Sequence, residues 1–203
     1  MQAFIKRHWF TLAVAVLVLA IAAALAAKYG AGKSPYKVIK PAPNFQLSNI
    51  DGSPVTLTDT TGKVRLVYFY FSYCADVCPV TTYMLSKVQD YLMEKGYWGN
   101  RTALYSITFD PVRDTPERLK QFSSQFVKDP SGWYFLRGEE AATKELARQY
   151  GVIVEKDKDG NFIHSNMVIL VDKDNNIRNY YYAENAEFDP YAIAQDMIRL
   201  YRE

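Results

Sequence analysis

Phe69-Tyr70-Phe71-Ser72-Tyr73-Cys74-Ala75-Asp76-Val77-Cys78-Pro79 carries both cysteines of this 203-residue chain. It also joins two kinds of structure. Upstream, residues 64–71 form an apolar and aromatic run broken only by Arg65, the pattern of a strand covered on both faces. Downstream, Val80, Tyr83, Met84, Val88, Tyr91 and Leu92 recur at helical spacing through residues 79–95. Proline fits the first turn of a helix and not its interior. Pro79 therefore predicts a helix start, with Cys78 at about the N-cap and Cys74 one turn earlier in the connecting loop. In an open α/β sheet such a strand-to-helix junction lies at the edge where ligands bind.

Working outward, the alternation continues. Phe45, Leu47, Val55 and Leu57 flank an Asp51-Gly52 turn and predict a small hairpin. Residues 102–109 read as a strand. Asp114 or Thr115 caps a helix that has Pro116 in its first turn and Leu119, Phe122 and Phe126 on one face. Residues 133–136 read as a short strand and 139–150 as a helix ending at Gly151. Residues 167–171 and 177–182 are strands about a turn at Asp174-Asn175-Asn176, and a last helix starts at Asp189 or Pro190. Strands alternating with helices imply a mainly parallel sheet under helices, with an antiparallel pair at the end. This order is that of an α/β, thioredoxin-like fold with an N-terminal β-hairpin extension.

Composition narrows the class. Hydrophobic residues make up 49% and charged residues 23%, which excludes disorder. Of 24 Lys+Arg and 22 Asp+Glu, only Lys6 and Arg7 fall in the first 27 residues, so the remainder is balanced at 22 against 22. A balanced domain has no basic footprint for nucleic acid. Residues 9–27 are uncharged and mostly apolar. At 1.5 Å per residue they extend over about 28 Å, close to a bilayer's hydrocarbon thickness. With Lys6 and Arg7 before them, the positive-inside rule predicts a single-pass anchor with the N-terminus in the cytoplasm and the domain outside, and the short n-region without a long transit segment points to a bacterial cell membrane. The rival is a cleaved signal peptide, for which Ala24-Leu25-Ala26 supplies a small-x-small site. No cysteine follows the run, which excludes a lipid-anchored one. The expected organisation is a cytoplasmic segment 1–8, a transmembrane anchor 9–27, a Gly/Pro-containing linker 28–43 and one folded domain 44–203.

Two cysteines four residues apart rule out a disulfide-stapled miniprotein and a four-cysteine zinc site. At a helix start, free N–H groups and the positive helix end favour thiolates. Two thiolates placed there can form a disulfide or share one soft metal ion. The bland alternative is a pair of cysteines that only pack, but both sit at one strand-to-helix turn of an exported chain. Thioredoxin-type redox motifs have two residues between their cysteines, and here there are three, so a third metal ligand is the next thing to seek. Of the two histidines, His8 precedes the apolar run. His164 lies just before the strand that begins near Met167. In thioredoxin-like folds the loop there faces the cysteine turn and usually carries a cis-proline, and no proline occurs between Pro130 and Pro190.

Three stretches together resemble the Sco/SenC family of copper-binding, membrane-anchored proteins: Tyr73-Cys74-Ala75-Asp76-Val77-Cys78-Pro79, the segment from Thr108-Phe109-Asp110-Pro111 to Arg113-Asp114-Thr115-Pro116-Glu117, and His164-Ser165. The resemblance covers roughly residues 41–201. It implies a copper chaperone with Cys74, Cys78 and His164 as ligands of Cu(I) and Cu(II), and with Asp110 as a neighbour of the metal site. It implies a redox-active Cys74–Cys78 disulfide and, as partner, the copper-bearing subunit of cytochrome c oxidase. Delivery of copper to the binuclear centre, or reduction of that centre's cysteines, follows as the task. The alternative is a metal-free thiol–disulfide oxidoreductase. Ala42-Pro43-Asn44-Phe45 with Gly52 is similar to peroxiredoxin-like chains, yet Phe71 and Ala75 stand where a peroxide-activating threonine would be.

Overall fold

The computed structural model describes residues 2–29, 36–156, 158, 162–185 and 188–203, with side chains of the first helix described over 8–23. The chain divides into two compact units, residues 1–35 and 36–203.

The first unit contains one helix, α1 (Gln2–Tyr29). Among the described residues no helix is long and apolar enough to cross a membrane. This overturns the expected transmembrane anchor over 9–27, and with it the single-pass cell-membrane location. The side chains of Lys6, Arg7 and Ala24-Leu25-Ala26, and residues 30–35 of the expected linker, lie outside those described.

The second unit is built on an eight-stranded sheet. In chain order its strands and helices, with those of a small separate ribbon, are β1 (Lys40–Pro41), β2 (Gln46–Asn49), β3 (Pro54–Thr56), β4 (Val64–Tyr70), α2 (Val77–Glu94), β5 (Thr102–Thr108), α3 (Pro116–Ser123), β6 (Trp133–Arg137), α4 (Glu140–Tyr150), β7 (Val154–Lys156), β8 (Phe162–His164), β9 (Met167–Val171), β10 (Asn176–Tyr182) and α5 (Pro190–Arg202). The order across the large sheet is β1-β10-β9-β4-β5-β6-β2-β3, while β7 and β8 pair apart from it. Only β4–β5 and β5–β6 are parallel, so the sheet is mixed rather than mainly parallel. The chain returns from α4 through the β7–β8 ribbon, and β9 then enters beside β4 in the antiparallel sense. β2 and β3 pair antiparallel about residues 50–53, and β1 pairs with β10 inside the 28–43 stretch expected as linker.

β4 explains the apolar run that located the site. All seven of its residues are buried, and successive side chains point to opposite faces. Val64, Leu66, Tyr68 and Tyr70 join a core with Leu85 and Val88 of α2, Phe122 of α3 and Met197 of α5. Val67 and Phe69 join a second core with Leu146, Ala147 and Tyr150 of α4. Each large apolar side chain so placed contributes about 1.5–3 kcal/mol of burial.

The register fixes which loops meet. Tyr70 pairs with Thr108 at the ends of parallel β4 and β5. β9 runs the other way and begins at the same edge, with Val168 opposite Tyr68. The β4–α2 loop, the β5–α3 loop and the segment entering β9 therefore share one edge of the sheet.

Candidate metal centre

α2 starts at Val77, one residue ahead of Cys78, and its N-cap is Asp76, whose side chain makes no capping bond. The N-cap expected at Cys78 is two residues late. Pro79 sits third in the helix, where a backbone N–H would still lack an intrahelical acceptor, so proline is tolerated there. Cys74 is half-buried and Cys78 fully buried, and both are free thiols. The Cys74 N–H donates to the Phe71 carbonyl at 3.3 Å, and the Cys78 N–H donates to Cys74 Sγ at 3.5 Å.

This geometry separates the two sulfurs electrostatically. A hydrogen bond from the Cys78 thiol, helped by N–H groups of Cys78, Asp76 and Val77, lowers the Cys74 thiol to about 5. The same bond, together with burial, pushes the Cys78 thiol well above the ordinary thiol range. Cys74 is thus the first thiolate and Cys78 holds the remaining proton.

His164 ends β8. Its Nε2 lies 3.8 Å from Cys78 Sγ, and its Nδ1 lies 3.4 Å from the Ser165 carbonyl oxygen. An Nδ1–H donated to that carbonyl leaves the Nε2 lone pair facing the sulfurs. The ring is seated on aromatic neighbours. Phe109 lies 5.2 Å from it and Phe71 5.9 Å, while Phe162 contacts both phenylalanines at 5.0 and 5.2 Å. Each of the three converging segments supplies one of these rings. Sequence reading missed this collar, whose signal is a phenylalanine just past the ends of β4 and β5 and at the start of β8.

The Cys74, Cys78 and His164 donor atoms all lie within 4.8 Å of one another, the one group of three such residues that could hold a metal among the described residues. Two sulfurs and an imidazole form a soft set that suits Cu(I), and nitrogen with an added oxygen donor suits Cu(II). Asp110 is not in this group. It is buried, its N–H donates to Thr108 Oγ1 at 3.0 Å, and its carboxylate pairs with Arg113 Nε. Of the two candidate caps for α3, Thr115 is the cap, accepting from the Arg118 N–H at 3.3 Å. Asp114 instead turns inward and is fully buried.

Comparison with known proteins identifies a family. The family model described as SCO1/SenC matches residues 35–202. A SCO1 protein homolog of Bacillus subtilis is 29% identical over 149 residues, which is 71% of this chain and 76% of the relative. BsSco, a member of the Sco family of cytochrome c oxidase assembly proteins with an identified disulfide switch, superposes with a TM-score of 0.70 at 26% identity, covering 82% of this chain and 96% of its own. Bradyrhizobium japonicum ScoI, solved with copper bound, gives a TM-score of 0.66 at 27% identity, covering 79% of this chain and 99% of its own.

Proposed function

The chain belongs to the SCO1/SenC family, and on that premise we propose that it is a copper chaperone of cytochrome c oxidase assembly, with Cys74, Cys78 and His164 as the copper ligands. Copper is the cargo, delivered to the binuclear copper site of the oxidase's copper-bearing subunit. The observation that carries the reading is the convergence of two sulfurs and one imidazole nitrogen within 4.8 Å, from segments far apart in the chain. Relatives solved with copper bound support the choice of metal.

The lowered Cys74 thiol favours a second task at the same site. Its thiolate attacks a disulfide in the partner, and Cys78 then displaces the mixed disulfide. The partner's S–S bond breaks, the Cys74–Cys78 bond forms, and two electrons and the Cys78 proton pass to the partner, whose second sulfur leaves as a thiolate and takes its proton from water. A metal-free oxidoreductase would perform this step alone.

Titration of the reduced protein with Cu(I), Cu(II) and Zn(II) tests the reading. The expected result is tight Cu(I) binding and a Cu(II)–thiolate absorption band. Disulfide cycling without copper binding would establish the metal-free oxidoreductase instead, and binding of zinc alone would make the site structural.

A further inference from the structure

Ser72 stands two residues before Cys74, and every polar group it has is held. The Asp114 carboxylate accepts the Ser72 N–H at 3.0 Å and the Ser72 hydroxyl at 2.5 Å. The same carboxylate accepts the Thr108 hydroxyl at the end of β5. Arg118 of α3 approaches from the other side, with Nε donating to Ser72 Oγ at 2.8 Å and Nη2 donating to the Ser72 carbonyl at 2.7 Å. Its guanidinium lies 4.5 Å over the ring of Tyr73. A buried carboxylate is unfavourable unless its lone pairs are bonded, and α3 already has Thr115 as its cap. Asp114 is therefore not needed where it stands for the helix.

We propose that Asp114 and Arg118 are positioning residues for the metal centre: they clamp Ser72 and so set where the Cys74 sulfur stands relative to Cys78 and His164. The inference rests on the copper reading above. Without the clamp, Cys78 keeps its place, because α2 packs into the core through Leu85, Val88 and Leu92. His164 keeps its place against Phe71 and Phe109. Cys74, half-buried against the edge of the core, otherwise has bonds only within its own loop and the start of α2: its N–H to Phe71, and the N–H groups of Asp76, Val77 and Cys78 to its sulfur. Loss of the clamp therefore moves one donor of three. A two-coordinate Cu(I) site tolerates that, whereas Cu(II) geometry and closure of the Cys74–Cys78 disulfide do not.

The test compares the full chain with Asp114→Asn, Arg118→Gln, Ser72→Ala and Ser72→Thr. Ser106→Ala serves as control, since it removes a buried hydroxyl that accepts from the Trp133 indole at 3.0 Å on β5. Two readouts are taken: the Cu(II)–thiolate band, and the equilibrium with oxidised dithiothreitol, which accepts two electrons and two protons as the two thiols become S–S. Asp114→Asn and Arg118→Gln are expected to shift the band and to change the exchange constant at least tenfold, about 30 mV for a two-electron couple. Ser72→Ala should shift both in the same direction, while Ser72→Thr, which keeps the hydroxyl, and Ser106→Ala should match wild type. Should Asp114→Asn fail to fold, Arg118→Gln and Ser72→Ala decide. Wild-type values for both in folded protein would overturn the proposal. Absence of the Cu(II) band in wild type would instead refute the copper reading, and the dithiothreitol equilibrium alone would then decide the clamp.

Discussion

In the reduced, metal-free protein, alkylation of Cys74 by iodoacetamide should follow a titration with its midpoint at about pH 5. At pH 7 such a thiol is about 99% thiolate, against about 3% for an ordinary cysteine of pKa about 8.5. The gain in thiolate, about thirtyfold, does not make the rate thirtyfold faster. Nucleophilicity falls with basicity, with a Brønsted slope of about 0.4–0.5, so a pKa lowered by about 3.5 costs about 25- to 55-fold in intrinsic reactivity. The two effects nearly cancel at pH 7, and the profile rather than the rate is diagnostic. Between pH 4 and 7 the wild-type rate should rise about tenfold and then level, whereas an ordinary thiol rises about a thousandfold and keeps rising. Cys78→Ala removes the S–H donor, the largest cause of the shift, but leaves the backbone N–H donors at the start of α2. Its midpoint should climb above 5 and stay below the ordinary range. Peptide mapping by mass spectrometry assigns the alkylated residue, and buried Cys78 should remain unmodified. A wild-type midpoint above about 8, or a profile unchanged by Cys78→Ala, would refute the shared-proton arrangement. The fold favours the Cys74 thiolate, so its contribution to stability is complete above the ordinary thiol range and is lost as pH falls toward about 5, reduced in size because the group is half exposed. Cys78 contributes oppositely: its buried neutral thiol favours the fold at lower pH, and that is lost as pH rises beyond the ordinary range.

Cys74→Ala and Cys78→Ala should each abolish tight copper binding, measured by competition with a Cu(I) chelator, because one sulfur and one imidazole are too few soft donors; wild-type affinity in either variant contradicts the ligand assignment. His164→Ala should weaken Cu(I) binding without removing it and should eliminate the Cu(II)–thiolate band, and an unchanged band would take His164 out of the site. Phe109→Ala deletes a fully buried ring that seats His164 and should cost about 3–5 kcal/mol in urea denaturation. A loss below about 1 kcal/mol would mean that the collar does not pack as described.

Where the sequence was legible, one physical cause dominated locally. The β4 run is apolar because both faces are covered, and α3 and α4 show their ends because Pro116 sits in the first turn of one and Gly151, at φ 89°, closes the other. Where it was not legible, distant partners decided. β1 is two residues long and exists only through its pairing with β10. β7 and β8 have three residues each, too short for a periodic signal, and are held by Phe162 packing on Phe71 and Phe109. Asp114 beside Thr115-Pro116 has the sequence of a cap whether it faces solvent or Ser72. Only the approach of the β4–α2 loop distinguishes the two. Asp110 adjoins Phe109, yet the neighbouring Arg113, three residues on, takes its carboxylate.

The convergence of His164 on Cys78 across 86 residues has its own anchor, which the missing cis-proline did not foretell. Asn166, two residues after His164 and buried, accepts from the Tyr68 hydroxyl of β4 at 3.1 Å and donates through Nδ2 to the Thr81 hydroxyl of α2 at 3.0 Å. One side chain thus ties the segment entering β9 to the strand before the cysteine loop and to the helix after it. Thr81 lies three residues beyond Cys78, on the same face of α2, so Asn166 holds the histidine and the second cysteine in mutual register. Cys74 stands outside that tie, on the loop gripped at Ser72, and it is the more exposed of the two sulfurs and the one lowered to about 5. Cys78 is buried while Cys74 and His164 are both half-buried, so the two half-exposed donors flank one inner sulfur. On the proposed reading an incoming partner sulfur would meet Cys74 before the buried Cys78, which is the order that thiol exchange through a Cys74 thiolate requires.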